Sequence, residues 1–380
     1  MTTQNVHDRD QAKRPVAGKL GCWVLGAIAF ACGTATLAGL LLGLAGSRQA
    51  TPRALSPHKT PAPTPTALPP EQRLIFTYYF YWYDATTGAH LQEGSGLNQH
   101  PEPDPVPSWR NVEWHEKQLS DMTWAGIDIA LPVYWGFQNP EDAWSYEGLE
   151  VLAKAWRQLE ADGANPPKIG MFFDTTIVDG RDLTTDGGKA FFYANFRDFF
   201  LRIPRQAWGL VLGRPVVFLF TSDFTGAMNQ ATFDYVYDEF QAEFGVRPYI
   251  VREVSWDYPI LRWESGERVR DYQHPIETEN SYLWAAAIFG FVDRGGAATV
   301  GPGYDDRGVP GRQGRVTDRE GSEFYRRNFE AAIASGKPLL AIETWNEFHE
   351  GSGIAETVEY GRQYLELTRH LSAEFHAYRP

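Results

Sequence analysis

The chain has 380 residues, with 35 Lys and Arg against 48 Asp and Glu, a net charge of −13. Residues 73–380 carry 28 of those basic and 45 of those acidic side chains, a net of −17. Such a surface repels phosphate backbones and argues against a nucleic-acid partner. The two cysteines, Cys22 and Cys32, both fall in the first fifty residues, so the remainder has neither a disulfide framework nor thiolate chemistry.

Residues 1–19 form a polar tail containing Lys13, Arg14 and Lys19. Residues 20–46 then run for 27 positions without a charge. That exceeds the roughly 20 residues a membrane-spanning helix needs and the roughly 7–15 of a signal-peptide core. An uncleaved single-pass anchor at 20–46 is expected, with the N-terminus cytoplasmic by the positive-inside rule and the rest of the chain outside. Gly39 and Gly43 stand at Gly-x-x-x-Gly spacing, which membrane helices often show without pairing. Residues 47–72 are rich in Pro, Thr and Ala, as in Thr60-Pro61-Ala62-Pro63-Thr64-Pro65, and read as a semi-rigid spacer.

Residues 73–380 read as one large domain. Apolar runs predict strands over 74–81, 127–134, 169–173, 216–221, 249–254, 282–287, 298–301 and 339–344. Amphipathic stretches predict helices over 113–125, 146–161, 188–203, 231–244, 322–335 and 358–376, the first with Trp114, Leu119 and Met122 on one face. Gly or Pro punctuates most helix ends, at Gly126, Gly163, Gly245 and Gly336. Eight strands alternating with helices imply an α/β fold, a parallel sheet closed into a (β/α)8 TIM-type barrel. The stretch 256–280 is too irregular for a clear helix. No Gly-x-Gly-x-x-Gly, phosphate loop or Gly-x-Ser-x-Gly elbow is present.

In a barrel the chemistry sits at the C-terminal ends of the strands. Those ends offer Tyr81, Trp82 and Asp84; Tyr134 and Trp135; Asp174; Asp223; Glu253; and Tyr304 and Asp305. After the last strand comes Glu343-Thr344-Trp345-Asn346-Glu347-Phe348-His349-Glu350-Gly351. Carboxylates that accept from hydroxyls, mixed with rings that stack on C–H faces, suit polyol recognition. Glu347 and Glu350 are three residues apart. If the chain turns after the strand, their carboxyls approach to about 5–6 Å, compatible with retaining glycoside chemistry. His349 between them can orient a carboxylate or donate to substrate, with Trp345 and Asn346 alongside. Glu343 is as easily a structural group inside the barrel. Glu347, His349 and Glu350 are ligand-like, but no other His stands at metal-ligand spacing with them, and no metal or cofactor is expected.

At these residues the chain resembles glycoside hydrolase family 99, the endo-α-mannosidase-like barrels, or a bacterial sister group. The resemblance is carried by Trp345-Asn346-Glu347-Phe348-His349-Glu350-Gly351, by the aromatic strand Tyr78–Tyr83, and by Ala125-Gly126-Ile127-Asp128, Pro132-Val133-Tyr134-Trp135-Gly136 and Pro302-Gly303-Tyr304-Asp305. It implies a metal-free retaining mechanism. Glu347 acts as base on the sugar 2-hydroxyl, which attacks the anomeric carbon to give a 1,2-anhydro sugar. Glu350 protonates the leaving oxygen and then activates water. The chain departs from the family at Phe348, at Ser352-Gly353-Ile354-Ala355 and at Glu343, where small residues are common. The expectation is therefore a membrane-tethered glycoside hydrolase acting on an oligo- or polysaccharide. Two alternatives stand beside it. One is a hydrolase pairing Glu347 with a carboxylate from another strand, such as Asp174, Asp223 or Glu253. The other is a carbohydrate-binding or glycan-assembly barrel without turnover.

Overall fold

The computed structural model describes residues 72–379, with Glu93 and Ser95 excepted. The expected cytoplasmic tail and anchor, and the spacer up to residue 71, lie outside the described residues. Among the described residues no helix is long and apolar enough to cross a membrane.

Eight parallel strands form the barrel: β1 Leu74–Tyr79, β2 Ile129–Tyr134, β3 Met171–Phe173, β4 Arg214–Leu219, β5 Tyr249–Glu253, β6 Asn280–Tyr282, β7 Ala298–Val300 and β8 Leu339–Ile342. Their order around the wall is β6-β5-β4-β3-β2-β1-β8-β7. Register is fixed by pairs such as Phe76 with Ile129 and with Ala341. No ladder joins β6 to β7, so the barrel is nearly closed. The seam is bridged instead by the Gly296 and Ala297 N–H groups, which donate to Ser281 O at 2.9 and 3.0 Å, and by the Thr299 hydroxyl donating to Leu283 O at 2.8 Å. A Cβ on Gly296 would lie 2.1 Å from Asn280 Oδ1, so only glycine permits this approach.

The six expected helices form outside the wall as α1 Val112–Ala125, α2 Ala143–Ala161, α3 Asp186–Arg202, α4 Gln230–Phe244, α6 Glu323–Ala334 and α7 Gln363–Ala377, and a short unexpected helix, α5 Ala286–Phe289, stands where the strand expected over 282–287 would have continued. Trp114, Leu119 and Met122 of α1 are buried as the periodicity predicts, together with His115 and Asp121. The Asn111 side chain caps the start of α1, and Gly126 closes it with φ 84°. The fifth unit has only a 3-10 turn, Val254–Trp256, and no α-helix after its strand. An antiparallel hairpin, Ile260–Glu264 with Glu267–Arg270, stands there. Helix α7 begins five residues later than expected. Thr357 bridges to Pro101 and Gly361 and the Val358 N–H donates to His100 O, so this stretch is spent pairing with the first loop.

The barrel interior is aromatic. Phe76 and Tyr78 of β1 meet Phe218 of β4 and Phe172 of β3 at centroid distances of 5.1 and 4.4 Å. Trp284, just after β6, lies 5.1 Å from Tyr78. This packed floor leaves the strand ends above it as the place for a cleft.

Candidate active site

Alternation along β1 sorts its aromatics. Tyr79 and Tyr81 point outward into the helix layer, where their hydroxyls bond His115 Nδ1 at 2.9 Å and Ser145 O at 2.6 Å. Trp82, one residue on, faces the mouth. It stacks on His90 at 5.0 Å and meets Trp135, Trp144 and His349 edge-on at 6.0, 5.7 and 6.1 Å. Tyr134 is likewise outward. Its hydroxyl donates to Asp198, and its ring packs on Phe199. The next residue, Trp135, joins the aromatic group at the rim. Of the expected substrate contacts, Tyr81 and Tyr134 are thus committed to packing, whereas Trp82 packs with Trp135 and against His349 beside the Glu347 segment.

The carboxylates divide in the same way. Asp84 is fully buried and accepts from Ser108, Thr87, the Thr86 N–H and Arg110. It organises the first loop. Asp305 turns outward to Arg307 at 2.7 Å, and Asp223 pairs with Arg268 at 3.0 Å. Asp174 caps the turn after β3 through the Thr176 N–H, and Glu253 caps the turn after β5 through the Ser255 N–H at 2.6 Å. Burial pushes both of these carboxyls up. They belong to the inner wall, with their oxygens partly spent on turn geometry.

The segment after β8 is held by its neighbours. The Trp345 N–H donates to Tyr78 O at 2.9 Å. Asn346 takes the Phe80 N–H on Oδ1 at 2.8 Å and gives its amide to Phe80 O at 2.7 Å. It thereby splices β1 to the loop beyond the end of the strand ladder. The Trp345 indole is fully buried and donates to Gln118 Oε1 of α1 at 2.6 Å. Trp345 and Asn346 therefore position the segment and present nothing to a ligand. Tyr83 adds a further brace, its hydroxyl donating to Asn346 O and accepting the Phe348 N–H.

Glu347 and Glu350 emerge from this frame. Glu347 is 4% exposed, and the Thr344 hydroxyl accepts its N–H. Its Oε1 accepts the His349 N–H at 3.1 Å and lies 3.1 Å from His349 Nδ1. The His349 ring stacks on Tyr83 at 5.8 Å. Glu350 Oε1 accepts from Arg312 at 2.7 Å. The same guanidinium bonds the Tyr304 hydroxyl at 2.7 Å and approaches Asp306 at 3.5 Å. Burial pushes the Glu350 carboxyl up, Arg312 pulls against it, and the charge of Glu347 adds to the rise. The two carboxyls are thus close enough to act on each other, and one of them is biased toward holding a proton.

Arg312, His90, Tyr83 and Trp284 were not among the expected site residues. Arg312 lies in the loop Gly308-Val309-Pro310-Gly311-Arg312-Gln313-Gly314, which has no periodicity to mark its target. Among the described residues no group of three or more His, Cys, Asp or Glu is arranged to hold a metal ion.

Eight parallel strands with acids and aromatic rings gathered at their C-terminal ends define a nearly closed (β/α)8 barrel. The chain belongs to the family described as Domain of unknown function (DUF5010), whose model matches residues 71–378. In solved structures it is similar to the GH99 endo-alpha-mannosidase from Bacteroides thetaiotaomicron, with TM-score 0.57 and 18% identity, over 83% of this chain and 100% of that one. A glycoside hydrolase-like protein matches with TM-score 0.57 and 15% identity, over 83% of this chain and 97% of that one. At these identities the likeness is one of fold, and it bears out the barrel resemblance read from the motifs. Among curated proteins, the Mus musculus glycoprotein endo-alpha-1,2-mannosidase is 32% identical over 92 residues. The match spans 20% of this chain and 20% of that relative's length.

Proposed function

We propose that the domain is a retaining glycoside hydrolase, endo-α-mannosidase-like, acting on an α-linked glycan. The observation that carries this reading is the placement of Glu347 and Glu350 together after β8, Glu347 held at His349 and Glu350 at Arg312; burial and the charge of Glu347 both favour a proton on Glu350. Two neighbouring carboxyls in different surroundings, one against His349 and one against Arg312, are what acid/base assignment needs.

Glu347 removes the proton of the sugar 2-hydroxyl as that oxygen attacks the anomeric carbon. The glycosidic C–O bond breaks, and Glu350 delivers its proton to the departing oxygen. The 1,2-anhydro sugar is then opened at the anomeric carbon by water, which gives a proton to Glu350 while oxygen 2 regains one from Glu347. Two inversions give net retention without a carboxylate nucleophile, a departure from the usual retaining scheme. The likeness to the mouse endo-alpha-1,2-mannosidase and to the Bacteroides endo-alpha-mannosidase supports the α-mannoside class. Asp174, Asp223 and Glu253 are engaged with turn N–H groups or with Arg268, which favours the Glu347–Glu350 pair over a partner from another strand.

The test is hydrolysis of α-linked manno- and gluco-oligosaccharides, with the product anomer followed by NMR. Wild-type protein is expected to release the retained anomer. Glu347→Gln and Glu350→Gln are each expected to lose at least a thousandfold in rate while keeping the fold. Full activity in either variant rules the pair out.

The charge-free stretch 20–46 and the proline-rich spacer support a tether that holds this domain outside the membrane. Sedimentation of the full chain with membranes, and its release on deletion of residues 1–46, checks that location. Recovery of the full chain in the soluble fraction would refute it.

A further inference from the structure

We propose that Glu343 is a specificity-determining residue of this site, its carboxyl forming the floor of a recess beside Glu350 that takes one oxygen substituent of the bound sugar. The inference rests on the reading of the cleft as a sugar site and sharpens it.

Glu343 directly follows β8 and is 1% exposed. Its Oε2 accepts the Ala287 N–H at 3.4 Å, and the N–H groups of Ala285 and Ala286 also favour its charged form. Its Oε1 is equally buried and has no hydrogen-bond partner. Buried polar atoms are nearly always paired, so an unpaired one aimed into a site calls for an occupant. Glu343 lines a recess with Trp284, Tyr304, Thr344, Glu350 and Ser352, of about 10 Å³. That is the room of one water-sized group. A hydroxyl or other single oxygen enters it, and a sugar ring does not. Because Glu350 shares the wall, the occupant belongs to the sugar whose bond is broken or to its immediate neighbour.

The groups that act on this carboxyl come from every side of the barrel. Glu253 of β5 raises it, and Tyr78 of β1 and Tyr282 of β6 both feel its charge. Tyr304 and Glu350 face it across the recess, and the guanidinium bound to Glu350, Arg312, is engaged by Glu350 and Tyr304. Burial outweighs the three backbone N–H groups and pushes Glu343 up to about 8. The shift favours the protonated form at neutral pH, in which the carboxyl presents an O–H donor to the recess.

The experiment is calorimetric binding of α-linked mannobioses and glucobioses to Glu347→Gln protein between pH 6 and 9. Affinity is expected to weaken about tenfold, the worth of one hydrogen bond, as pH rises through 8. Adding Glu343→Gln, whose amide remains a donor, should keep the affinity and abolish the pH dependence. Adding Glu343→Leu should lose about tenfold at every pH, its fold being checked by thermal melting. Equal affinity of the Leu and Glu forms at pH 6 overturns the proposal, and so does a pH-independent affinity with Glu343 intact. Disaccharide binding without wild-type cleavage sinks the hydrolase reading and leaves this one standing. Cleavage with no effect of Glu343 does the reverse. Binding of none of the disaccharides overturns both.

Discussion

Arg312 ties Glu350, Tyr304 and Asp306 together from a loop 38 positions away from Glu350. Its charge opposes the burial that favours a proton on Glu350, so it sets where the acid of the pair titrates. Removing it leaves burial and Glu347, both of which raise that carboxyl, so the pKa must rise. Arg312→Leu is therefore expected to move the alkaline limb of the kcat/KM profile to higher pH. It should also slow turnover about tenfold or more, because a charged hydrogen bond that fixes the carboxyl is worth about 1.5–3 kcal/mol. A pH–rate profile unchanged in shape would mean that Arg312 serves the fold of the loop alone.

At the scale of elements, the site depends on how closely β7, α5 and β8 approach. A Cβ on Gly301 would lie 2.5 Å from Ala287 Cα and 2.5 Å from Glu343 O. Gly301→Ala must therefore push α5 away from the end of β8, at about 1–3 kcal/mol of overpacking, and it disturbs the N–H groups that hold Glu343. Gly163→Ala, at the end of α2, meets nothing within 4 Å but sits at φ 82° and costs about 1 kcal/mol of backbone strain. Urea unfolding should show both variants destabilised, and glycan hydrolysis should fall only for Gly301→Ala. Loss of activity in both variants would trace the effect to stability instead.

These same elements mark what was legible beforehand. Six of the eight strands lie within their apolar runs because buried parallel strands are written as such runs, whereas β4 begins two residues before its run and β6 meets its run only at Tyr282. The helix of the fifth unit could not be read because no α-helix follows β5. Residues 260–270 alternate on a two-residue period, with Leu261 and Trp263 both exposed, and pack as a hairpin. Composition at a strand end identifies a cleft but not the facing of each side chain. Tyr81 and Trp82 are adjacent, yet only Trp82 turns to the mouth. Asp305 and Tyr304 are adjacent, yet Asp305 turns to Arg307 in solvent. The Glu347–Glu350 motif was legible because its members are neighbours in sequence. Arg312 was not, because its role exists only once the loop after β7 folds back over β8.

At the scale of the whole molecule, stability should form a dome in pH with two identifiable limbs. His115 is buried between Tyr79 and the Trp109 carbonyl, and burial pushes it down to about 4. His90 moves the same way, to about 4, through burial and the neighbouring His349. Below its unfolded pKa, near 6.5, each histidine takes up a proton more readily when unfolded. Their contribution is therefore full above about pH 6.5 and lost as pH falls toward 4, by up to about 3 kcal/mol for the fully buried His115. Glu343 has the opposite sign. Its folded pKa of about 8 lies above the ordinary carboxyl value, so its contribution is full below about 4.5 and lost as pH rises toward 8. Over about pH 4.5 to 6.5 the gain from the two histidines outweighs the loss from Glu343, and above 6.5 only that loss remains, so urea midpoints measured from pH 4.5 to 9 should decline on both sides of a maximum near pH 6.5. Glu343→Gln should flatten the alkaline limb and steepen the acid one, because an amide has no charge to bury. His115→Gln should flatten the acid limb alone. A Glu343→Gln protein that still loses stability between pH 6 and 8 to the same extent as wild type would show that this carboxyl is not the buried acid the barrel makes of it.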